Sequence, residues 1–174
     1  MSTIALVPIG APDGDAMEVI GAALCSVYRC EVRHTSSAVD VQSAFSARRG
    51  QYRSRVLLKA LLNLNIPYAS KVVGVADVDL FVPIFTFVFG EAQVGGRCAL
   101  TSLHRLHQTF YGLPEDQVIF NRRAVTEVVH EVGHTYGLLH CATYWCAMAA
   151  SRTVEDVDVK QPVLCSLCDT LLHE

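Results

Sequence analysis

Apolar residues change their period several times along this chain, and each change marks an element. Thr3–Pro8 carries a continuous apolar run and predicts a buried first strand. Gly10–Asp15 holds turn residues. Met17, Ile20, Leu24 and Val27 then recur at helical spacing, so a helix is expected from Asp15 to about Tyr28. A short strand is expected at Glu31–His34. Thr35–Gly50 is polar and rich in small residues, which predicts a loop or a short helical excursion. Val56, Leu57, Ala60, Leu61 and Leu64 mark a second amphipathic helix over Ser54–Asn65. Val72, Val73, Val75 and Val78 place a buried strand at Lys71–Val78. The aromatic stretch Ile84–Ala92, with Pro83 at its start, predicts another strand. It could be an edge strand that accepts an extended peptide by strand addition, and an ordinary core strand fits the same residues. Arg97–Leu103 is a further candidate strand.

Tyr111–Asp116 breaks the chain before a long helix carrying Val118, Ile119, Val125, Val128, Val129 and Val132 and ending near Leu138. Leu164, Leu167, Leu171 and Leu172 support a last helix. Helices alternating with strands indicate an α/β arrangement. At 174 residues, with no repeat or linker, one domain spanning residues 1–174 is expected.

Composition narrows the function. With 51% hydrophobic and 18% charged residues the chain has ample core, which excludes a disordered class. A net charge of −3 without a basic run gives no basis for binding nucleic acid. No apolar run is long enough for a membrane span. The N-terminus lacks the basic start of a signal peptide, so a cytoplasmic protein is expected.

Isolated polar residues read blandly. Asp77 and Asp79 are expected as solvated acids at a strand end, and Arg48, Arg49, Arg53 and Arg55 as a solvated helix start. His34, His104 and His107 are expected to be structural or on the surface. Cys25 and Cys30 are expected in or near the core.

The chemistry concentrates in His130–His140, which reads His-Glu-x-x-His-x-x-Gly-x-x-His. On a helix His130 and His134 share a face one turn apart. Gly137 can end the helix with positive φ, so that His140 returns to the same ion. Three imidazoles leave one tetrahedral zinc position for water, and Glu131 is placed to act as base on it. The reaction class is hydrolysis of peptide or other amide bonds. An odd total of seven cysteines suits metal binding better than a disulfide framework. Cys141, Cys146, Cys165 and Cys168 can close a tetrahedral structural zinc site. Disulfides or reduced core thiols remain the alternatives.

These motifs resemble the archaemetzincins, a branch of the metzincin metallopeptidases. The match rests on His130–Cys141, Cys146-Ala147-Met148 and Cys165-Ser166-Leu167-Cys168, with similar segments at Asp77–Phe81 and Phe87–Ala92. The stretch from Ala149 to Leu164 is one residue shorter than the family's spacer. The resemblance implies a catalytic zinc on His130, His134 and His140, Glu131 as general base, and Met148 in a Met-turn beneath the site. It also implies a structural zinc on the cysteines, and so two zinc ions per chain. The implied fold is an α/β (α+β) metzincin-like one. A twisted mixed sheet would carry an antiparallel edge strand, at Ile84–Phe89, framing the cleft. The active-site helix would end an N-terminal part at residue 137, and residues 138–174 would form a small C-terminal subdomain.

The expected protein is thus a zinc metallopeptidase acting on a peptide or small protein, with short peptides cleaved in an aminopeptidase-like manner as the expected case, and a monomer. The rival is a metzincin-like zinc-binding protein with little or no proteolysis, acting as a binding module. Glu155, Asp156, Asp158 and Asp169 around the cysteines argue against a nucleic-acid-binding zinc ribbon.

Overall fold

The first strand, β1 (Thr3–Ile9), sits inside a sheet with both faces covered, and its alternation shows how. Ile4 and Leu6 point into one core, and Ala5, Val7 and Ile9 into another. The computed structural model describes residues 2–36 and 39–173.

After β1 the chain forms α1 (Gly14–Tyr28), capped by the Asp13 side chain on the Ala16 N–H, and then β2 (Glu31–His34). The stretch expected as a loop or helical excursion contains a 3₁₀ turn at Val41–Ala44, then β3 (Phe45–Ser46) and β4 (Gln51–Arg53). Ser37 and Ala38, within that stretch, lie outside the described residues. Next come α2 (Ser54–Leu62), β5 (Lys71–Ala76), β6 (Leu80–Phe81), β7 (Gly90–Ala92) and β8 (Cys98–Ser102). Two 3₁₀ turns at His104–Leu106 and Gln108–Tyr111 precede α3 (Gln117–Thr135), α4 (Val154–Val159) and α5 (Ser166–His173).

The main sheet has the order β2-β1-β5-β8-β7, with only β7 antiparallel, and a small second sheet pairs β3-β4-β6. α1 and α3 pack on one face through Ile20, Leu24, Phe120, Val128 and Val132. α2 covers the other through Leu57 and Leu61. The mixed sheet and its antiparallel edge agree with the sequence reading.

The position of that edge does not. Ile84–Phe89 is not a strand; the chain there turns and bends, and Ile84 is 83% exposed. Val88 makes an isolated antiparallel bridge to Leu80, and side chains hold the loop before it. Arg49 donates to the Phe85 and Thr86 carbonyls at 2.8 and 2.7 Å, and Gln51 donates to Thr86 O at 2.9 Å. Regular pairing begins only at Gly90, opposite Thr101.

Other expectations also change. Asp79 is not a solvated acid: Arg105 grips it in a bidentate pair at 2.7 and 2.8 Å, and Gln51 donates to it as well. Asp77 accepts the Ala11 N–H. The arginines are not merely a solvated helix start, because Arg49 braces the loop and Arg55 pairs with Glu91. Cys25 is exposed, whereas Cys30 is buried as expected. α3 stops at Thr135, short of Leu138, because Gly137 adopts φ +90°. His107 is structural as expected; it stacks on Phe120 and bonds Glu115.

Candidate metal centre and catalytic cleft

α3 starts at an Asp116 cap and runs buried through the middle of the fold, so its last turns carry polar residues into an apolar surround. His130 and His134 lie one turn apart there. The helix ends in paired reverse bonds, Leu138 N–H to Gly133 O and Gly137 N–H to His134 O, the Schellman arrangement that a positive-φ glycine permits. The chain reverses and delivers His140. Cys141 N–H then bonds Met148 O, which ties the residue after His140 to the turn beneath the helix.

The ligand atoms of His130, His134 and His140 all lie within 4.8 Å of one another. His130 Nδ1 faces Ala147 O at 2.9 Å, and His134 Nδ1 faces Leu138 O at 2.7 Å. A carbonyl only accepts, so both Nδ1 atoms carry the proton and both Nε2 atoms present lone pairs. Burial lowers the pKa of His130 well below the ordinary histidine value, with the Lys160 charge adding to it, and burial also lowers that of His134. The two Nε2 atoms are 3.1 Å apart. Two lone pairs at that distance repel unless a cation lies between them. Tetrahedral zinc with Zn–N bonds near 2.0–2.1 Å would set such atoms about 3.3 Å apart. The donor set therefore fits zinc.

Glu131 is 6% exposed and lines the same cleft. Burial, and then the nearby Glu127 carboxylate, push its pKa well above the usual carboxylate range, against an opposing contribution from Lys160. Gly133, between the histidines, leaves room for Met148: a Cβ there would collide with Met148 Sδ. The cleft has a volume of about 1060 Å³. Phe87, Phe89, Val94 and Leu139 contribute apolar walls, and Gly90–Ala92 lines it from the edge of the sheet.

The sulfur atoms of Cys141, Cys146, Cys165 and Cys168 form a second group within 4.8 Å of one another. All are free thiols, and Cys141 Sγ lies 3.7 Å from Cys165 Sγ, far beyond a disulfide bond. Four Zn–S bonds near 2.3 Å imply S···S separations of about 3.8 Å, so this group also fits zinc. Burial acts to raise the Cys165 pKa. Hydrogen bonds from the Cys168 backbone and from the neighbouring thiols outweigh it and bring Cys165 to about 7. Burial raises Cys146 and Cys168.

Residues 32–174 match the family described as Peptidase family M54. The chain belongs to peptidase family M54. Members of this family are zinc metallopeptidases, and this chain is one of them. An archaemetzincin of Pyrococcus abyssi is 36% identical over 97% of this chain and 93% of its own length. One of Methanocaldococcus jannaschii is 35% identical over 95% of this chain and 89% of its own. Among solved structures, archaemetzincin from Methanopyrus kandleri superposes with a TM-score of 0.87 at 32% identity, covering 99% of this chain and 93% of that one. A zinc-dependent peptidase from Methanocorpusculum labreanum gives 0.85 at 25% identity, covering 97% and 99%. The fold and family expected from the motifs are thus the ones found.

Two parts of this M54 site escaped sequence reasoning. Lys160 reaches the back of the histidine site from the end of α4, and Gly90 gives Glu131 its space. Lys160 sits in no motif with recognisable spacing, and Gly90, though within the Phe87–Ala92 segment, carries no sequence sign of its contact with Glu131.

Proposed function

We propose that this M54 peptidase cleaves short peptides with His130, His134 and His140 holding a catalytic zinc and Glu131 as general base. The observation that carries this reading is the pair of facing, unprotonated Nε2 atoms of His130 and His134 beside the buried Glu131 carboxylate. A bound zinc ion supplies Lewis acidity, making a coordinated water easier to deprotonate and polarising a carbonyl oxygen. The residues do the remaining work. Ala147 O and Leu138 O hold the two imidazoles in orientation through their Nδ1–H groups. Glu131 takes the proton of the attacking water and gives it to the departing amine.

The terminal position of β7 in the sheet supports a substrate lying extended along it, because one edge of that strand has no sheet partner among the described residues. A cleft of about 1060 Å³ accommodates a few residues, which favours short peptides and an aminopeptidase-like mode. A second, structural zinc on Cys141, Cys146, Cys165 and Cys168 would tie residues 141–146 to α5. The proposed active unit is a monomer in the cytoplasm with two zinc ions.

Glu131→Gln tests the base. Metal content stays unchanged and hydrolysis of a short-peptide panel falls by about 10²–10⁴-fold. A metal-replete variant that turns over at the parent rate removes Glu131 from this role. Comparing free and N-acetylated peptides tests the aminopeptidase mode. A wild-type protein with zinc in place and no hydrolysis of any panel member favours the binding-module alternative.

A further inference from the structure

Lys160 ends α4 and is 1% exposed. A buried ammonium is costly unless its protons are matched, and it has three. Three acceptors meet it: Glu127 Oε1 at 2.6 Å, Ala147 O at 3.2 Å and Ala149 O at 3.1 Å. The two carbonyls flank Met148. Ala147 O is also the acceptor for His130 Nδ1–H at 2.9 Å, so its two lone pairs serve His130 and Lys160. Glu127 lies on α3, one turn before His130, and it also accepts the Ser151 hydroxyl from the cleft wall at 3.2 Å. One ammonium thus joins the helix, the turn under the helix and, through Glu127, the wall of the cleft.

Holding α4 in place does not require this group. Arg123 clamps the Asp158 carboxylate at 2.7 Å through two nitrogens, and Arg122 donates to the Asp158 and Lys160 carbonyls. An apolar side chain could fill the same volume, and apolar replacements of buried ion pairs are often neutral or stabilising. It could not orient two carbonyl oxygens.

We propose that Lys160 is a positioning residue for the histidine site. Its ammonium fixes the peptide carbonyls around Met148 so that Ala147 O sets the ring orientation of His130. The proposal rests on the reading of His130, His134 and His140 as zinc ligands.

Lys160→Met alone leaves the buried Glu127 carboxylate unpaired and can fail to fold. The decisive protein is therefore the full chain carrying Lys160→Met with Glu127→Gln, which removes both charges. Zinc affinity is measured at both sites by chelator competition, together with the d–d absorption of cobalt(II) at the histidines. The expected result is a folded variant whose histidine-site affinity falls about 10- to 100-fold, with an altered cobalt spectrum and an unchanged cysteine site. A folded variant with parent affinity and spectrum overturns the proposal. Equal weakening of both sites overturns it too, since that marks general loosening. Failure of the wild-type histidines to bind zinc or cobalt removes the zinc reading, and this proposal with it. Normal wild-type binding with an unchanged variant removes only this proposal.

Discussion

Gly90 and Glu131 are packed so closely that no other residue fits at position 90 without movement. A Cβ on Gly90 would lie 2.6 Å from Glu131 Cγ and 2.5 Å from the Leu100 carbonyl oxygen. The carbonyl is backbone of β8, so a Cβ forces β7 away from β8 at this point as well as displacing the Glu131 side chain. With Glu131 as the proposed base, Gly90→Ala is expected to keep the parent's metal content and lower kcat by about 10²-fold, the scale for misplacing a catalytic group by roughly 1 Å. Metal analysis beside steady-state kinetics checks this. Parent kcat in Gly90→Ala would show that the carboxylate tolerates the shift.

Gly133 and Met148 form a second such contact, with Met148 fully buried. Overpacking of this kind costs about 1–3 kcal/mol. Gly133→Ala should lose that much stability in urea unfolding. Combining it with Met148→Ala should be less damaging than the sum of the single changes.

Arg49 holds the Phe85 and Thr86 carbonyls from outside the cleft, and its guanidinium lies 4.1 Å over the Phe81 ring. Arg49→Ala releases the loop that forms the cleft rim without touching the histidines. Charge-assisted bonds of this type contribute about 1.5–3 kcal/mol. KM for a short peptide should rise about 10-fold with kcat nearly constant. A fall in kcat at constant KM would place the arginine's influence elsewhere.

The cysteine cluster should behave as a folding element. Metal binding to four thiolates is coupled to folding, so Cys168→Ser should lower Tm and expose residues 141–173 to proteolysis. Mild chelation of the parent should first remove the more open histidine-bound ion, leaving one zinc per chain. A preparation holding one or no zinc before chelation would contradict the two-ion assignment.

Asp156 supplies a pH dependence. It accepts the Arg152 and Thr153 backbone N–H groups in the capping box of α4, and these bonds hold its pKa below the usual carboxylate value. A pKa lowered by folding means stability present above the unfolded-state pKa and lost as pH falls through the folded one. Asp156→Asn should flatten that acid limb of the stability curve, by up to about 1 kcal/mol for a largely exposed cap. An acid limb identical to the parent's would assign the loss to other carboxylates.

The two clusters of candidate metal ligands were legible because their geometry is local. His130 and His134 share one helical face, Gly137 ends the helix two residues after Thr135, and the cysteines come in short-spaced pairs. The strand and helix periods of β1, α1, α2, β5 and α3 were legible for the same reason: burial on a regular element repeats along the chain. The aromatic run Ile84–Phe89 misled because hydrophobicity there serves mainly a cleft rim, and the Phe85 and Thr86 carbonyls bond arginine and glutamine side chains instead of a strand. Gly90 beneath Glu131, Arg105 on Asp79 and Lys160 behind His130 were decided by tertiary structure alone. Each joins residues distant in sequence, and a contact made once between distant segments leaves no period to read.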